Sequence, residues 1–245
     1  MRGGLFLQQQ GIISGVASFP IPTDGLVFML DGAVAGSMYS DIAKTTVCNQ
    51  SDPLAVWEDQ SGNGNDWIQS NASYRPIAQP DDNRIHNLGS GAGITDHLVG
   101  PNISTWTEGT FIAHVYVNGA TEGGIWGTTA WNNANSLNHW NFATVHYINF
   151  GTDQRPSSGS GTINAWLTYE NNVATDGVTT VYEDAVSIYS ADLGTVGFRS
   201  TPYLGGGVRS GGIQYCINAY YRRVVGYNRI LTAPERIIVN GWLAS

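Results

Sequence analysis

Residues 110–117, Thr-Phe-Ile-Ala-His-Val-Tyr-Val, decide the fold class of this 245-residue chain. Bulky apolar residues alternate with other residues along this segment, which is the period of a β-strand and not of a helix. A second alternating run extends from Tyr220 to Tyr227. Short strand-like runs separated by turn residues continue from Asp24 onward, a rhythm typical of a sandwich or barrel.

About twelve candidate strands follow from this pattern, which is enough for two packed sheets. In chain order they are residues 26–30, 55–59, 66–70, 94–99, 110–117, 124–127, 142–150, 163–169, 179–183, 186–190, 202–204 and 213–225.

The composition also favours strands over helices. The chain has 31 Gly, 8 Trp and 12 Tyr but only 12% charged residues, whereas helical surfaces are normally filled with Lys, Glu, Ala and Leu. We therefore predict an all-β fold, a two-sheet antiparallel β-sandwich of the jelly-roll type, that occupies residues 23–245 as one domain.

One short helix is predicted at the C-terminus. Thr232-Ala-Pro-Glu235 fits a capping box, in which the Thr side chain and the Glu carboxylate each accept from the other residue's backbone N–H. Ile237, Ile238 and Trp242 are then expected to face the sandwich.

Residues 1–22 are predicted to form an extended arm. Glycines and prolines interrupt every periodic pattern in this segment, yet it holds too many apolar residues for a solvated linker. The arm is expected to lie along its own domain or along a neighbouring subunit. Its anchoring residues are expected to be Leu5, Phe6, Leu7, Ile12 and Ile13.

Charge, apolar runs and cysteines limit the partners. The net charge of -8 disfavours nucleic acid, whose binding needs clustered cations; only Arg222 and Arg223 are adjacent arginines. No stretch has the length of a signal-peptide core or of a membrane helix, so we expect synthesis in a host cytoplasm without a signal peptide and no membrane insertion. Cys48 and Cys216 are expected as buried thiols in preference to a disulfide or a zinc site.

Residues 57–67, Trp-Glu-Asp-Gln-Ser-Gly-Asn-Gly-Asn-Asp-Trp, combine acids and amides between two tryptophans. Asp59, Ser61 and Asn63 match the first ligand positions of an EF-hand loop, but Ser70 stands where that loop requires a bidentate Glu. We predict a hairpin turn whose tryptophans are anchored in the core, with a weak calcium site as the alternative. No other cofactor is predicted.

Three segments resemble the concanavalin A-like lectin/glucanase superfamily, in particular its laminin-G-like branch found in phage virion and bacterial surface proteins. They are residues 24–31, residues 56–65 followed by Arg75-Pro76, and residues 227–236 running to Trp242-Leu243. The resemblance covers about residues 23–245 and implies a β-sandwich. It leaves function open, because this fold hosts lectins, glycosidases, adhesion modules and scaffolds.

Two carboxyl groups roughly 5–9.5 Å apart would be needed for glycoside hydrolysis. The Glu-x-Asp-x-x-Glu string of laminarinase-type relatives does not occur in this chain. The pairs Glu58-Asp59 and Glu183-Asp184 are adjacent, so their members point to opposite faces of a strand. We predict a non-enzymatic protein without catalytic residues.

Residues 126–140 form the predicted contact surface. Aromatic rings can lie under the apolar face of a sugar ring while amide and imidazole groups bond its hydroxyls; core packing or a subunit interface is the alternative use of such rings. The residues concerned are Trp126, Trp131, Asn132, Asn133, His139 and Trp140.

Three functions are considered on these grounds. The first is a virion structural protein of a phage, a capsid decoration, head fibre or tail component at the virion surface. It would bind other virion proteins through residues 1–22, as a homo-oligomer or part of a larger assembly, with cell-surface glycans as a further partner. The alternative is a lectin-like carbohydrate-binding module of a surface or secreted protein, and the third is a glycoside hydrolase.

Overall fold

The computed structural model describes residues 21–91, 96–119, 123–127, 137–142, 145–150, 153–160, 164–192, 201–209, 212–214 and 216–245. In these ranges the chain forms strands, two short 3-10 turns at Ala72–Tyr74 and Pro80–Asp82, and one α-helix. The predicted all-β fold class with a short C-terminal helix is confirmed.

The elements, in chain order, are β1 (Leu26–Asp31), β2 (Met38–Tyr39), β3 (Val56–Trp57), β4 (Trp67–Ile68), β5 (Ile77–Gln79), β6 (Arg84–Gly91), β7 (Leu98–Val99), β8 (Gly109–Val117), β9 (Gly123–Gly127), β10 (Leu137–Phe142), β11 (Val145–Phe150), β12 (Asp153–Ser160), β13 (Trp166–Val173), β14 (Val178–Glu183), β15 (Val186–Asp192), β16 (Tyr203–Leu204), β17 (Gly207–Arg209), β18 (Gly212–Gln214), β19 (Cys216–Tyr227) and α1 (Ala233–Leu243).

Strand pairing falls into two groups, which we call sheet A and sheet B. In sheet A, β19 pairs with β8 on one side and with β6 and β1 on the other. Beyond β6 the sheet continues with β5, and beyond β8 it continues with β13, β14 and β15. Sheet B runs β2, β3, β4, β7, β16, β9, β10, β11 and β12. Among the described residues, one parallel bridge between Cys216 and Gly124 joins the two groups. Within the described ranges, β17 and β18 pair with each other and with no further strand.

A hydrophobic cluster fills the space between the sheets. Sheet A contributes alternate residues of its strands, Phe111 of β8 and Phe28 of β1 among them, and sheet B contributes Trp67 and Trp126. The Phe111 and Trp126 rings stack with centroids 4.0 Å apart, and Phe28 meets Trp67 edge to face at 5.2 Å. Burial of large rings is the main stabilising contribution of such a core.

The helix α1 covers part of the outer face of sheet A. Ile112 of β8 packs there with Val239, Trp242 and Leu243 of the helix, so β8 is buried on both faces. The expectation that Ile237 and Ile238 face the sandwich is wrong, since they are 72% and 46% exposed. The buried helical positions are three and four residues apart, which places Val239, Trp242 and Leu243 on one face.

The helix begins with the predicted capping box. The Glu235 carboxylate accepts from the Thr232 backbone N–H at 2.8 Å. Arg229 donates to both oxygens of the same carboxylate, at 2.6 and 2.9 Å. Those hydrogen bonds lower the pKa of Glu235 to about 2, so the carboxylate stays ionised at the helix N-terminus, where negative charge is favoured.

The residues just before β1 pack into the cluster between α1 and the outer face of sheet A. Ile21 is buried in it, and the Pro22 carbonyl accepts from the Tyr227 hydroxyl at 3.0 Å. The arm residues Leu5, Phe6, Leu7, Ile12 and Ile13 lie outside the described residues, so the arm and its boundary at residue 22 stay predictions.

Cys48 and Cys216 are both buried, as predicted, and no disulfide joins them. In the described part of the chain, no helix has the length and apolar character needed to cross a membrane.

Candidate functional site

The loop between β3 and β4 is the predicted hairpin. Trp57 and Trp67 lie opposite each other in register, and both are completely buried in the core. At one edge, Lys44 Nζ lies 2.7 Å from a Glu58 oxygen and 2.9 Å from an Asp66 oxygen, so the lysine clamps the two ends of the loop.

Asp59 connects this loop to strand β1. Its Oδ1 accepts from the backbone N–H groups of Met29 and Ser61, and its Oδ2 accepts from the Ser61 hydroxyl and the Asn65 N–H. The Asn63 side-chain amide donates to the Leu26 carbonyl at 2.9 Å.

The three candidate calcium residues therefore bind one another and β1 in this structure. Both Asp59 oxygens already accept two hydrogen bonds each, and the Asn63 amide presents its N–H side to the backbone. Within the described ranges, no group of three or more His, Cys, Asp or Glu side chains could hold a metal ion. The loop geometry is that of a turn, and calcium binding stays a prediction.

Trp126 does not contact solvent. Its side chain is fully buried between the sheets and stacks on Phe111, so the prediction of a glycan contact at this residue is corrected to a core residue. His139 and Trp140 lie on β10, where His139 is opposite Trp126 in register, but their side chains lie outside what the structure describes. Trp131, Asn132 and Asn133 are outside the described residues, so contact roles for these five residues stay predictions.

Four other rings form a continuous row on the outer face of sheet A, beside the area that α1 covers. We call His86, Tyr220, Tyr116 and Trp166 the aromatic row. Successive ring centroids are 4.0 Å, 5.9 Å and 5.8 Å apart. All four side chains are partly exposed.

Strand register produces this row. Tyr220 of β19 lies opposite His86 of β6 on one side and opposite Tyr116 of β8 on the other, and Tyr116 lies opposite Trp166 of β13. Side chains directly opposite on neighbouring strands share a face and come within contact distance. The four rings therefore belong to four adjacent strands of one rigid sheet.

Two arginines lie over the row, with Cζ of Arg84 4.3 Å from the Tyr220 centroid and Cζ of Arg222 4.3 Å from the Trp166 centroid. Arg84 is held in place by Gln79 at 2.7 Å and by Asp82 at 3.1 Å. The side chain of Arg222 makes no hydrogen bond or ion pair with any residue that the structure describes, and its Nε is buried without a partner.

A β-bulge in β19 places Arg222 on this face. Tyr221 is opposite Val115, but the next residue of β8, His114, is opposite Arg223, so Arg222 is an extra residue in the strand. In a regular strand, neighbouring side chains point to opposite faces. Here Arg222 contacts the aromatic row while Arg223 binds Asp31 at 3.0 Å and the Trp242 carbonyl of α1, on the same outer face.

His114 is buried next to the end of the row, with its ring centroid 5.0 Å from that of Trp166. Burial, with Arg222 and Arg223 nearby, lowers the pKa of His114 to about 4. It is therefore neutral at pH 7.

Sequence reasoning missed the aromatic row although some of its signals were visible. The alternating run from Tyr220 predicts a strand, and Arg222-Arg223 is the one adjacent arginine pair in the sequence, but neither signal indicates a row of rings. Nothing in the sequence indicated that His86 and Trp166, 80 positions apart, would be joined through Tyr220 and Tyr116.

Comparison with known proteins shows which fold this chain has. No family model and no curated protein matches the chain. Its structure is similar to that of a Trypanosoma rangeli sialidase in complex with sialic acid, with 20% identity and a TM-score of 0.63 over 91% of this chain and 33% of that chain. A structure of botulinum neurotoxin type C, whose cell entry depends on interaction with two ganglioside molecules, is similar with 12% identity and a TM-score of 0.62 over 90% of this chain and 52% of that chain.

The receptor binding domain of botulinum neurotoxin D is also similar, with 13% identity and a TM-score of 0.56 over 89% of this chain and 53% of that chain. The chain thus spans about a third of the sialidase chain and about half of each toxin chain. At these identities the likeness shows the fold, a β-sandwich.

The prediction of a non-enzymatic protein is corrected by these comparisons, because the similar structures include sialidases, which are enzymes. That prediction depended on the absence of one carboxylate string and on the adjacency of two acid pairs, Glu58-Asp59 and Glu183-Asp184. The virion role, the virion partners, the oligomeric assembly and the virion location stay predictions.

Proposed function

We propose that this chain is a carbohydrate-binding β-sandwich of the concanavalin A-like type and that the aromatic row is its sugar-contacting surface. The observation that carries the proposal is the row itself: four partly exposed rings, contributed by adjacent strands, on the part of the outer face that α1 leaves uncovered.

The chemistry of the surface suits a sugar. The C–H face of a pyranose is apolar and packs on aromatic rings, whereas its hydroxyls need hydrogen-bond partners. Asn218 lies beside the row, where its side-chain oxygen is 3.0 Å from His86 Nε2 and 3.5 Å from the Asn118 amide. Rings and amides on a rigid sheet offer both kinds of contact without reordering the backbone.

The similar structures support the same class of ligand. One sialidase was solved with sialic acid, and the type C neurotoxin interacts with gangliosides. Both ligands are sugars or carry them, and both proteins share the sandwich fold of this chain. The proposal concerns binding, and the same preparation should be assayed for release of sugar from every glycan that it binds.

A glycan array with the purified chain tests the proposal. We expect specific binding that falls at least about tenfold in Trp166→Ala and in Tyr220→Ala, because each removes one ring of the row. The control is Tyr74→Ala, which truncates a partly exposed tyrosine on the turn before β5, away from the row. Equal binding by all four proteins, or binding by none, would contradict the proposal.

A further inference from the structure

We infer that the sugar bound at the aromatic row is acidic and that Arg222 binds its carboxylate. This inference rests on the proposed function and adds the chemical class of the ligand. It begins from the guanidinium of Arg222, which lies on the row without an anionic partner in the described part of the chain.

Arg222 differs from every other arginine whose side chain the structure describes. The others all donate to carboxylates or to carbonyl oxygens: Arg75 to the Gln69 and Ser40 carbonyls, Arg84 to Asp82, Arg223 to Asp31, Arg229 to Glu235 and Arg236 to Glu170. A chain with net charge -8 has carboxylates in excess, and none of those described is placed against Arg222. Its pairing capacity is therefore available to a ligand.

The setting of Arg222 preorganises it for a carboxylate. Its Cζ lies 4.3 Å from the centroid of the Trp166 ring, and the β-bulge at Arg222 places the side chain on this face of the sheet. Of its nitrogens, only Nε is enclosed without a partner, which leaves the two Nη groups for the ligand. A guanidinium fork matches the two oxygens of a carboxylate, and the paired hydrogen bonds are stronger than those between neutral groups.

Neighbouring charges favour the same conclusion. Arg84 lies at the other end of the row and Arg223 beside Arg222, and both are already paired with carboxylates. Among the arginines described on this face, only Arg222 lacks a carboxylate partner, which suits a ligand with one negative charge, such as a carboxylated monosaccharide at the end of a glycan. Polyanions require several free cations, and the negative net charge repels them.

The test compares matched glycans that differ only in a terminal acidic sugar, on the intact chain. The wild-type protein should bind the sialylated glycan about tenfold or more tightly than its desialylated form, since a hydrogen bond to a charged group is worth that much. Arg222→Gln should abolish the preference and keep binding of the neutral form. Arg222→Lys keeps the positive charge but loses the two-pronged guanidinium group. This variant should retain only part of the preference for the sialylated glycan.

Arg84→Gln is the matched control. It removes an equal charge from the same face, but that charge is already bound by Asp82 and Gln79, so the preference should remain. Thermal unfolding of each variant reports whether the fold is intact. A sulfated glycan in place of the sialylated one shows whether the surface selects a carboxylate or any anion.

The outcomes separate the two proposals. If the wild-type protein binds both glycans equally, or if Arg222→Gln keeps the preference, the acidic-sugar inference is wrong while sugar binding at the row stands. Preference for the sulfated glycan over the sialylated one also overturns the carboxylate assignment. If the wild-type protein binds no glycan on the full array, the proposed sugar binding is wrong, and the acidic-sugar inference is wrong with it.

Discussion

Arg222 lies with its guanidinium carbon 4.3 Å above the ring of Trp166, while the adjacent Arg223 is bound to Asp31 at 3.0 Å on the same face. One extra residue in β19 makes this arrangement, because it brings two consecutive side chains to one side of the sheet. Arg223 stabilises the attachment of α1, and Arg222 remains available to a ligand.

The contact between Arg222 and Trp166 should be measurable as an energetic coupling. A double-mutant cycle with Arg222→Gln and Trp166→Ala, measured by urea unfolding, should give a coupling free energy of about 0.5–1 kcal/mol. This is the range of partly exposed cation–π pairs. Coupling indistinguishable from zero would mean that the arginine does not rest on the ring in solution. The pair Arg84 and Tyr220, with the same 4.3 Å separation, is the comparison cycle.

Trp126 should stabilise the core, and Trp166 should bind the glycan. Trp126→Ala removes a fully buried ring that stacks on Phe111 and should lower the free energy of unfolding by about 3–5 kcal/mol. Trp166→Ala should lower it far less and should reduce glycan binding instead. Chemical denaturation and glycan binding on both variants check this, and a binding defect in a folded Trp126→Ala protein that exceeds that of Trp166→Ala would contradict it.

His114 should make the protein less stable in mild acid. Its pKa is about 4 in the folded chain, against 6.5 for an ordinary histidine. The unfolded state therefore binds the proton first, and stability that is fully present above pH 6.5 is lost as the pH falls towards 4. The shift corresponds to about 3 kcal/mol.

His114→Gln removes this titration. Unfolding free energies measured between pH 7 and pH 4 should fall less steeply for the variant than for the wild-type chain. Parallel curves for the two proteins would show that the buried imidazole is not the group responsible.

Asp59 should stabilise the hairpin through its hydrogen bonds, without a metal. Asp59→Ala leaves the buried Met29 N–H without its acceptor, and such a loss costs about 1–3 kcal/mol. Because both carboxylate oxygens are occupied by donors, we expect the melting temperature to be the same in calcium and in a chelator. A rise of several degrees on calcium addition would show that the loop rearranges around the ion and that its turn geometry is not the bound state.

The sandwich could be predicted from sequence because each of its strongest signals is local. Alternation in residues 110–117, the two tryptophans that flank the hairpin, and the Thr232 to Glu235 capping box each depend on neighbours a few positions apart. Strand β6 was missed because Gly89 and its polar neighbours resemble a loop. A Cβ at Gly89 would lie 2.0 Å from the Cys216 carbonyl oxygen, so glycine is required by the close approach of β19.

The aromatic row could not be predicted because its geometry comes from pairing between distant strands. His86 lies on the missed strand, and the position of Arg222 depends on a bulge that no local pattern encodes. The error at Ile237 and Ile238 has a similar origin: several apolar helical faces are available, and only packing against β8 and β19 selects the one with Val239 and Trp242.

Indole N–H signals in a 1H–15N spectrum, recorded while a sialylated glycan is added, report whether the sugar binds at the aromatic row. The Trp166 signal should shift and saturate, while the signals of the core residues Trp57, Trp67 and Trp126, whose indole nitrogens are buried, should stay in place. Saturable shifts confined to Trp131 or Trp140, with Trp166 unchanged, would place the sugar away from the aromatic row and show that the row is not the binding surface.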